Sequence, residues 1–371
     1  MKEIIHFNVG KGNCCVLKDD DFVMAIDIAS TEEKESYEIV SPHFREKDGK
    51  DCIDILVVTH NDKDHCGGFS TFKEKMDSGD LVIGKIIHQG YDRTKSTKDC
   101  DSTYSDDYEK FQEEIDRREA LSDAEFGDLV YAPKNGDEED VILDGVDYPD
   151  NLNLFQLSPF EGDDETTEYD VNDLSLVFRL DFEDLNGMLF CGDSSSKYWQ
   201  DKVIPECLQD NSEAAKSDHC LVSHHGSYSF FGKDRETVRD ADPEPDNYEA
   251  MDYIEPKELI ISAGMEFPTR DKKRDDPPHY AAYKWYHKWF RDNRGVGEND
   301  QHPDSWHYTC NGNIQYKYEN NEWSIVNDYV DEELEEEQES SAKRLGQMHK
   351  KGALGILPGL SAPQTRYYGS K

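Results

Sequence analysis

The sequence has few basic side chains for its length and no long apolar run. Among 371 residues, 41 Lys and Arg stand against 82 Asp and Glu, which gives a formal net charge of −41. Such a charge repels nucleic acid at long range and disfavours a broad nucleic-acid-binding surface. No segment approaches the roughly 18 apolar residues of a membrane span. The first residues, MKEIIHFNV, lack the basic flank and long apolar core of a signal peptide. We therefore expect a soluble, cytoplasmic protein with no membrane partner.

A disulfide framework is also missing. The nine Cys are an odd number without a repeated spacing, and Cys14 and Cys15 are adjacent, which favours a reduced, intracellular setting. We assign none of the nine a catalytic role. Cys66 and Cys191 are expected to pack as small hydrophobic side chains.

Short aliphatic runs separated by turn residues predict strands through most of the chain. The opening 28 residues contain three such runs and indicate a meander of antiparallel strands. Outside residues 92–150, two stretches have helical spacing: FSTFKEKMDSGD and PPHYAAYKWYHKWFRDN. Near the end, HYTCNGNIQYKYENNEWSIV predicts a hairpin with its turn at Asn311–Gly312. Strands interrupted by helices predict an α/β fold, either a layered α/β or an αββα sandwich.

Two charged segments depart from this pattern. Residues 92–150 show weak helical periodicity and predict an exposed helical insertion. Residues 329–371 begin with a block of acid and predict a mobile C-terminal tail. The domain itself is expected to span residues 1–328, and the insertion or the tail could recruit a protein partner.

The stretch VVTHNDKDHCGG, residues 57–68, joins a buried strand to a loop rich in metal-binding side chains. His60, Asp62, Asp64 and His65 follow the apolar run directly, where α/β sheets place their sites. Imidazole and carboxylate together suit zinc and similar ions. A solvated acidic loop has the same composition, so further ligands are needed to decide.

Two later strands end in the same way. GMLFCG is followed by Asp193, and CLVS is followed by His224, His225, Gly226 and Ser227. A capping Asp or a surface His explains each case alone. Three repetitions of one pattern favour a shared metal site.

At these residues the sequence resembles metallo-β-lactamase-fold hydrolases. THNDKDHCGG is similar to their HxHxDH motif with Asp in place of the second His, CGDSSS to their bridging-Asp motif, and SHHGS to their late His motif. FNVGKGNCCVL, AIDIAS, NDLSLVFRL and HYTCNGNIQY resemble in particular the hydrolase domain of ComEC-type competence proteins and its free-standing relatives. The resemblance implies an αββα sandwich of the metallo-β-lactamase type.

The resemblance also implies a metal centre with two zinc ions. His60 and Asp62 would hold one ion, Asp64 and His65 a second, with Asp193 between them and His224 completing the second site. His225 would either join the metals or face the substrate. The carboxylate-rich ligand set also accepts Mn²⁺.

Two departures from the family pattern stand out. Many members have a further metal-binding His between the first motif and the bridging Asp, and here His88 in KIIHQG is the candidate. A strand-end His explains it equally well. His279 corresponds loosely to a His that relatives carry late in the domain.

The implied reaction is hydrolysis by a metal-activated water, with Asp64 or Asp62 taking its proton. Ser227 and the backbone around Gly226 are candidates to donate to the substrate oxyanion. The leading function is a phosphodiesterase or nuclease, and the net charge favours a small phosphodiester or a substrate delivered by a partner protein. Nearby basic residues could grip phosphate or remain solvated: Lys233, Arg235, Arg270, Lys272, Lys273 and Arg274. The alternatives are a binding component with a weakened metal centre, and a carboxyl-ester or lactam hydrolase.

Overall fold

The computed structural model describes residues 2–31, 33–90, 106–163, 168–182, 187–271, 274–319 and 322–326. The predicted tail, residues 329–371, lies outside this part of the chain. So do residues 91–105 of the predicted insertion and the basic residues Lys272 and Lys273.

The described residues form two β-sheets. The first contains β1 Lys2–His6, β2 Cys14–Asp19, β3 Phe22–Ile28, β4 Arg45–Lys47, β5 Lys50–Val58, β6 Leu81–His88, β7 Leu129–Tyr131, β14 Ile314–Glu319 and β15 Glu322–Val326. The second contains β8 Leu152–Ser158, β9 Val177–Phe182, β10 Met188–Phe190, β11 His219–Leu221, β12 Glu258–Ile261 and β13 Trp306–Tyr308.

The helices are mostly short. They are α1 Ser36–Val40, α2 Lys63–Cys66, α3 Phe69–Ser78, α4 Asp106–Glu119, α5 Glu139–Ile142, α6 Ser196–Tyr198, α7 Arg235–Asp240, α8 Ala250–Ile254 and α9 Tyr280–Arg294. A π-helical segment spans Trp199–Leu208, and single 3₁₀ turns span Ser41–His43, Ser223–Gly226, Tyr228–Phe230 and Thr309–Asn311. No helix in the described ranges is long and apolar enough to cross a membrane.

Strand order groups the parallel strands in one half of each sheet, from β3 to the edge strand β7 in the first and from β10 to the edge strand β13 in the second. The first sheet runs β15-β14-β1-β2-β3-β5-β6-β7, with β4 beside β5, and the second runs β13-β12-β11-β10-β9-β8. β3, β5, β6 and β7 are parallel, as are β10 to β13. Because parallel strands align their carboxyl ends, the residues that follow them gather at one edge of each sheet.

Three hydrophobic clusters define the layers. One lies between the sheets and includes Val57 of β5 and Phe190 of β10. A second packs the outer face of the first sheet against α3 and α4. The third packs the outer face of the second sheet against α9 and the π-helical segment. The predicted αββα sandwich is therefore confirmed.

The opening meander is confirmed, because β1, β2 and β3 pair antiparallel in sequence order. The predicted hairpin at Asn311–Gly312 is wrong. β13 and β14, on either side of that turn, belong to different sheets, and the hairpin is formed by β14 and β15. The Asn-Gly dipeptide marks the crossing between sheets.

The prediction of an exposed insertion needs correction over residues 106–150. β7 extends the first sheet beside β6, and α4 buries Phe111 and Ile115 against the sheet's outer face. Arg118 is buried and donates to the carbonyls of Ile83 and Leu129. The high charge of the segment concealed these few inward-facing side chains.

Candidate metal centre

The first motif is placed by the end of β5. Residues 52–58 are buried, and the loop that follows leads into α2. Asp62 starts α2 with its backbone carbonyl, which accepts from the N–H groups of His65 and Cys66 at 2.9 Å. Its side chain makes no capping hydrogen bond with the helix. The Asp62 carboxylate therefore does not cap α2.

Asp193 and the two adjacent His enter from the second sheet. Asp193 follows β10, and His224 and His225 follow β11, in parallel strands that are neighbours. His224 and His225 have φ of 49° and 53°, a left-handed conformation that costs about 1–2 kcal/mol per non-glycine residue. Such strain is typical of functional sites. It turns both imidazoles toward Asp193.

Asp193 is the centre of the arrangement. Its Oδ1 lies 3.1 Å from His65 Nε2 and 3.8 Å from His225 Nε2, and its Oδ2 lies 3.6 Å from His60 Nε2 and 3.5 Å from His224 Nε2. The other carboxylates lie further out. Asp62 Oδ2 is 3.8 Å from His60 Nε2, and Asp64 Oδ2 is 3.4 Å from His225 Nε2.

Four buried atoms around Asp193 make no contact with hydrogen-bond geometry: Nε2 of His60, His65 and His225, and Oδ1 of Asp193. The 3.1 Å separation of His65 Nε2 and Asp193 Oδ1 is an ion-pair contact. Buried polar atoms are rarely left unsatisfied, because each costs about 1–3 kcal/mol. Three sets of ligand atoms lie within 4.8 Å of one another: His60/His65/Asp193, Asp64/His65/His225 and His60/Asp62/Asp64. The donor set is that of a divalent cation.

Two hydrogen bonds determine which imidazole nitrogen of His65 and of His225 faces Asp193. His65 Nδ1 lies 2.7 Å from Asp27 Oδ2, and His225 Nδ1 donates to the carbonyl of Ser262 at 2.6 Å. Because a carbonyl only accepts, Nδ1 of His225 carries a proton, and in the neutral imidazole Nε2 presents its lone pair. Partners of this kind orient metal-binding His side chains.

Asp27 and Ser262 were not found by sequence reasoning. Asp27 is fully buried and also accepts from the Thr59 backbone N–H at 2.8 Å. The sequence signal was present, since one carboxylate interrupts the apolar run FVMAIDI. Ser262 acts through its carbonyl, which has no side-chain signature.

The charges of the site are strongly coupled. Burial opposes ionisation of Asp193, but the surrounding His224, His65, His60 and His225 hold its pKa well below the ordinary value. Burial also opposes protonation of His65, whose pKa is nevertheless raised by Asp27 and Asp193. Burial and the neighbouring His65 lower the pKa of His60 to about 3. His60 is therefore neutral and ready to act as a ligand.

The structure separates the two adjacent His. His225 is buried and belongs to one of the three ligand sets, whereas His224 belongs to none of them and is about a quarter exposed (27%). His224 Nδ1 lies 3.0 Å from Ser229 Oγ. Of the two His in SHHGS, His225 therefore lies in the interior of the site and His224 at its partly exposed margin.

The remaining His candidates lie outside the ligand sets. His88 ends β6, and its Nδ1 accepts from the Gly90 backbone N–H at 3.2 Å. His279 starts α9, and its backbone N–H donates to the Gly226 carbonyl at 3.0 Å. Neither belongs to a ligand set in the described part of the chain.

The role of Ser227 as an oxyanion donor stays a prediction. Its backbone N–H donates to the His224 carbonyl at 2.8 Å, and its hydroxyl accepts from the Ser229 N–H at 3.3 Å. The predicted phosphate contact Arg235 lies 3.4 Å from Asp271 and donates to the Arg274 carbonyl. Cys66 and Cys191 are buried in hydrophobic clusters, as expected.

The chain is similar to solved metallo-β-lactamase-fold proteins. Igni18, a metallo hydrolase from Ignicoccus hospitalis, is 12% identical with a TM-score of 0.41 over 85% of this chain and 100% of that one. YhfI from Bacillus subtilis, a metallo-beta-lactamase fold protein, is 10% identical with a TM-score of 0.37 over 70% and 85%. A diphosphatase of the PhnP family is 11% identical with a TM-score of 0.39 over 86% and 98%.

Each of these is a remote likeness. No protein-family model and no curated protein matches the chain. The relation to ComEC-type proteins stays a prediction.

Proposed function

We propose that this protein is a metal-dependent hydrolase that cleaves phosphodiesters with water as the nucleophile. The observation that carries the proposal is the set of buried Nε2 atoms of His60, His65 and His225, without hydrogen-bond partners, around Asp193. A structural role would have satisfied these atoms within the protein. Their common direction instead favours a shared cation.

The ligand sets support two adjacent positions. His60 and Asp62 would hold one ion, and Asp64, His65 and His225 the other, with Asp193 between them. This revises the sequence-based assignment by using His225 in place of His224. The first position has three protein ligands, and an incomplete set is typical of catalytic rather than structural zinc sites.

When bound, divalent cations lower the pKa of water and stabilise negative charge that develops on the substrate. The protein's own groups divide the remaining tasks. Asp62 and Asp64 have partly exposed carboxylates, at 28% and 30%, and are placed to accept the proton of the attacking water. The hydrogen bonds that His65 donates to Asp27 and that His225 donates to the Ser262 carbonyl hold both imidazoles in position.

The substrate class rests on the resemblance to phosphodiester-cleaving relatives. The net charge of −41 disfavours a polynucleotide spread over the surface and favours a small phosphodiester. Zinc is the first choice of metal, and the carboxylates of Asp62, Asp64 and Asp193 also suit manganese.

The test is hydrolysis of bis-p-nitrophenyl phosphate by the full-length chain with Zn²⁺ or Mn²⁺. We expect turnover that Asp64→Ala and His65→Ala abolish, with far-ultraviolet circular dichroism unchanged. His302→Ala, which removes a partly exposed His, is the matched control and keeps its rate. Parallel assays with p-nitrophenyl acetate and a β-lactam examine the ester and lactam alternatives. Equal rates in all variants would contradict the proposal.

A further inference from the structure

The loop before β9 lies beside the segment that carries Asp193. β9 and β10 are antiparallel, and Phe178 of β9 pairs with Phe190 of β10. Because antiparallel neighbours run in opposite directions, the start of β9 and the end of β10 lie at the same end of the second sheet. Residues 173–176 therefore reach Asp193 and the residues next to it in the chain.

Ser175 contacts the backbone of Asp193 directly. Its side-chain oxygen accepts from the Asp193 N–H at 3.0 Å. Ser175 is fully buried, and Asp193 is almost fully buried. Because a buried N–H group is costly to leave without a partner, this hydrogen bond restricts where the backbone of Asp193 can lie.

Gly192 permits this close approach. A Cβ added at Gly192 would lie 2.7 Å from Ser175 Cβ and 3.0 Å from Ser175 Oγ, at a φ of +51°. Glycine adopts such a φ at little cost and leaves space for the neighbouring segment. The glycine before Asp193 therefore allows the Ser175 hydroxyl to reach the Asp193 N–H.

The backbone that follows Asp193 is held in the same way. The Ser195 hydroxyl donates to Asp173 Oδ1, from the same loop as Ser175. The Ser223 hydroxyl donates to the Ser194 carbonyl at 2.7 Å. These contacts limit movement of the segment, so the position of the Asp193 carboxylate follows from the position of its backbone.

The same loop also contacts the first sheet. The Leu176 backbone N–H donates to the Thr59 carbonyl at 2.8 Å, and Thr59 directly precedes His60. One short loop thus contacts Asp193 of the second sheet and the residue next to His60 of the first. It links the proposed metal ligands that the two sheets supply.

We propose that Ser175 is a positioning residue that places the Asp193 carboxylate between the two ion positions. The inference rests on the metal centre of the proposed function and assigns a role to the NDLSLVFRL segment, which lies outside the ligand motifs. Ser175 acts through the Asp193 N–H rather than by contact with substrate. Without its hydroxyl, Asp193 Oδ1 and Oδ2 would no longer be held near His65 and His60 together.

The test compares the full-length chain with Ser175→Ala. Competition with a chromophoric chelator gives the zinc dissociation constant, and the visible absorption of the cobalt-loaded chain reports the geometry of the ligands. Ser217→Ala is the matched control, because Ser217 is also fully buried and its hydroxyl donates to the Ala215 carbonyl at 3.2 Å. Urea denaturation of both variants shows how much stability each has lost.

We expect Ser175→Ala to weaken zinc binding about tenfold, as for other residues that support a metal ligand, and to change the cobalt spectrum. Ser217→Ala should match the unaltered chain in both measurements even if it loses as much stability. Equal zinc affinity in the two variants, a cobalt spectrum unchanged by Ser175→Ala, or no zinc bound by the unaltered chain would overturn the inference.

The inference and the proposed function can fail separately, because zinc affinity and cobalt absorption do not require turnover. Zinc binding that depends on Ser175, without hydrolysis of bis-p-nitrophenyl phosphate, would reject the proposed function and support the inference. Hydrolysis by the unaltered chain, with zinc affinity that does not depend on Ser175, would support the function and reject the inference.

Discussion

Asp27 Oδ2 lies 2.7 Å from His65 Nδ1, and both groups are completely buried. The contact directs His65 Nε2 toward Asp193. It also joins β3, which carries Asp27, to the metal loop that follows β5. The orientation of His65, a proposed metal ligand, thus depends on a residue outside the recognisable motifs.

Asp27→Asn is expected to weaken zinc binding about 10- to 100-fold, because the amide keeps the shape but removes the charge that supports His65. Competition with a chromophoric chelator measures the dissociation constant. Asp77→Asn, at an exposed carboxylate paired with Lys73, serves as the control. Equal zinc affinities in the two variants would show that Asp27 does not support the metal centre.

The two adjacent His should differ in their effect on metal binding. His225→Asn is expected to lose bound zinc, whereas His224→Asn should retain it, because only His225 lies in a ligand set. Asn is chosen because it tolerates the left-handed backbone at both positions. Elemental analysis after dialysis gives the stoichiometry. A loss confined to His224→Asn would restore the sequence-based assignment.

Gly12 brings the loop after β1 against the metal loop. A Cβ added there would lie 2.6 Å from Ala29 Cβ and 2.8 Å from the Asp64 carbonyl oxygen, at a φ of +149°. Gly12→Ala should lower the free energy of unfolding by about 2–4 kcal/mol. Gly312→Ala has a similar φ of +142° with nothing within 4 Å, so it isolates the backbone cost. If the urea denaturation curves of the two variants coincided, the close contacts at Gly12 would not contribute to the loss of stability.

A stability change with pH is expected from His6. Burial, reinforced by the charges of His219 and His307, lowers its pKa to about 3. The folded imidazole stays neutral while the unfolded one binds a proton below about pH 6.5. Stability therefore falls with acidification, by about 2 kcal/mol from this group at about pH 5.

His6→Leu should reduce the loss of unfolding free energy between about pH 7.5 and about pH 5 by that amount, about 2 kcal/mol. Urea denaturation at both pH values measures it. An identical pH dependence in the variant would show that His6 does not titrate as described.

A substitution of Arg118 tests whether residues 106–150 belong to the domain. It is 1% exposed and donates to Glu114, which is also buried, at 2.8 Å. Arg118→Met should destabilise the chain by about 3–5 kcal/mol, because Glu114 would keep a buried charge with less compensation. Glu114→Gln combined with Arg118→Met should recover part of the loss. If Arg118→Met alone changed the free energy of unfolding by less than about 0.5 kcal/mol, α4 would instead be a surface insertion that contributes little to stability.

The sequence predicts best those parts of the fold where an apolar run ends abruptly at a polar side chain. β5 and its loop were recognisable because a buried run stops at His60, and β10 because it stops before Asp193. The hairpin was misplaced because Asn311–Gly312 has the composition of a tight turn whether or not its flanking strands pair.

Other features depend on tertiary contacts that residue types do not reveal. The different positions of the His224 and His225 imidazoles depend on the left-handed backbone and on the Ser262 carbonyl. The packing of α4 depends on a few inward side chains in a highly charged segment. Neither leaves a periodic signal.

The most direct test of the account is the zinc content of the full-length chain, compared with Asp193→Asn. Elemental analysis after dialysis against excess zinc should find two ions per chain in the unaltered protein and fewer in the variant, since Asp193 Oδ1 lies near His65 and Oδ2 near His60. Hydrolysis of bis-p-nitrophenyl phosphate should fall in parallel. No bound zinc in the unaltered chain, or equal zinc in both proteins, would contradict a metal centre built around Asp193.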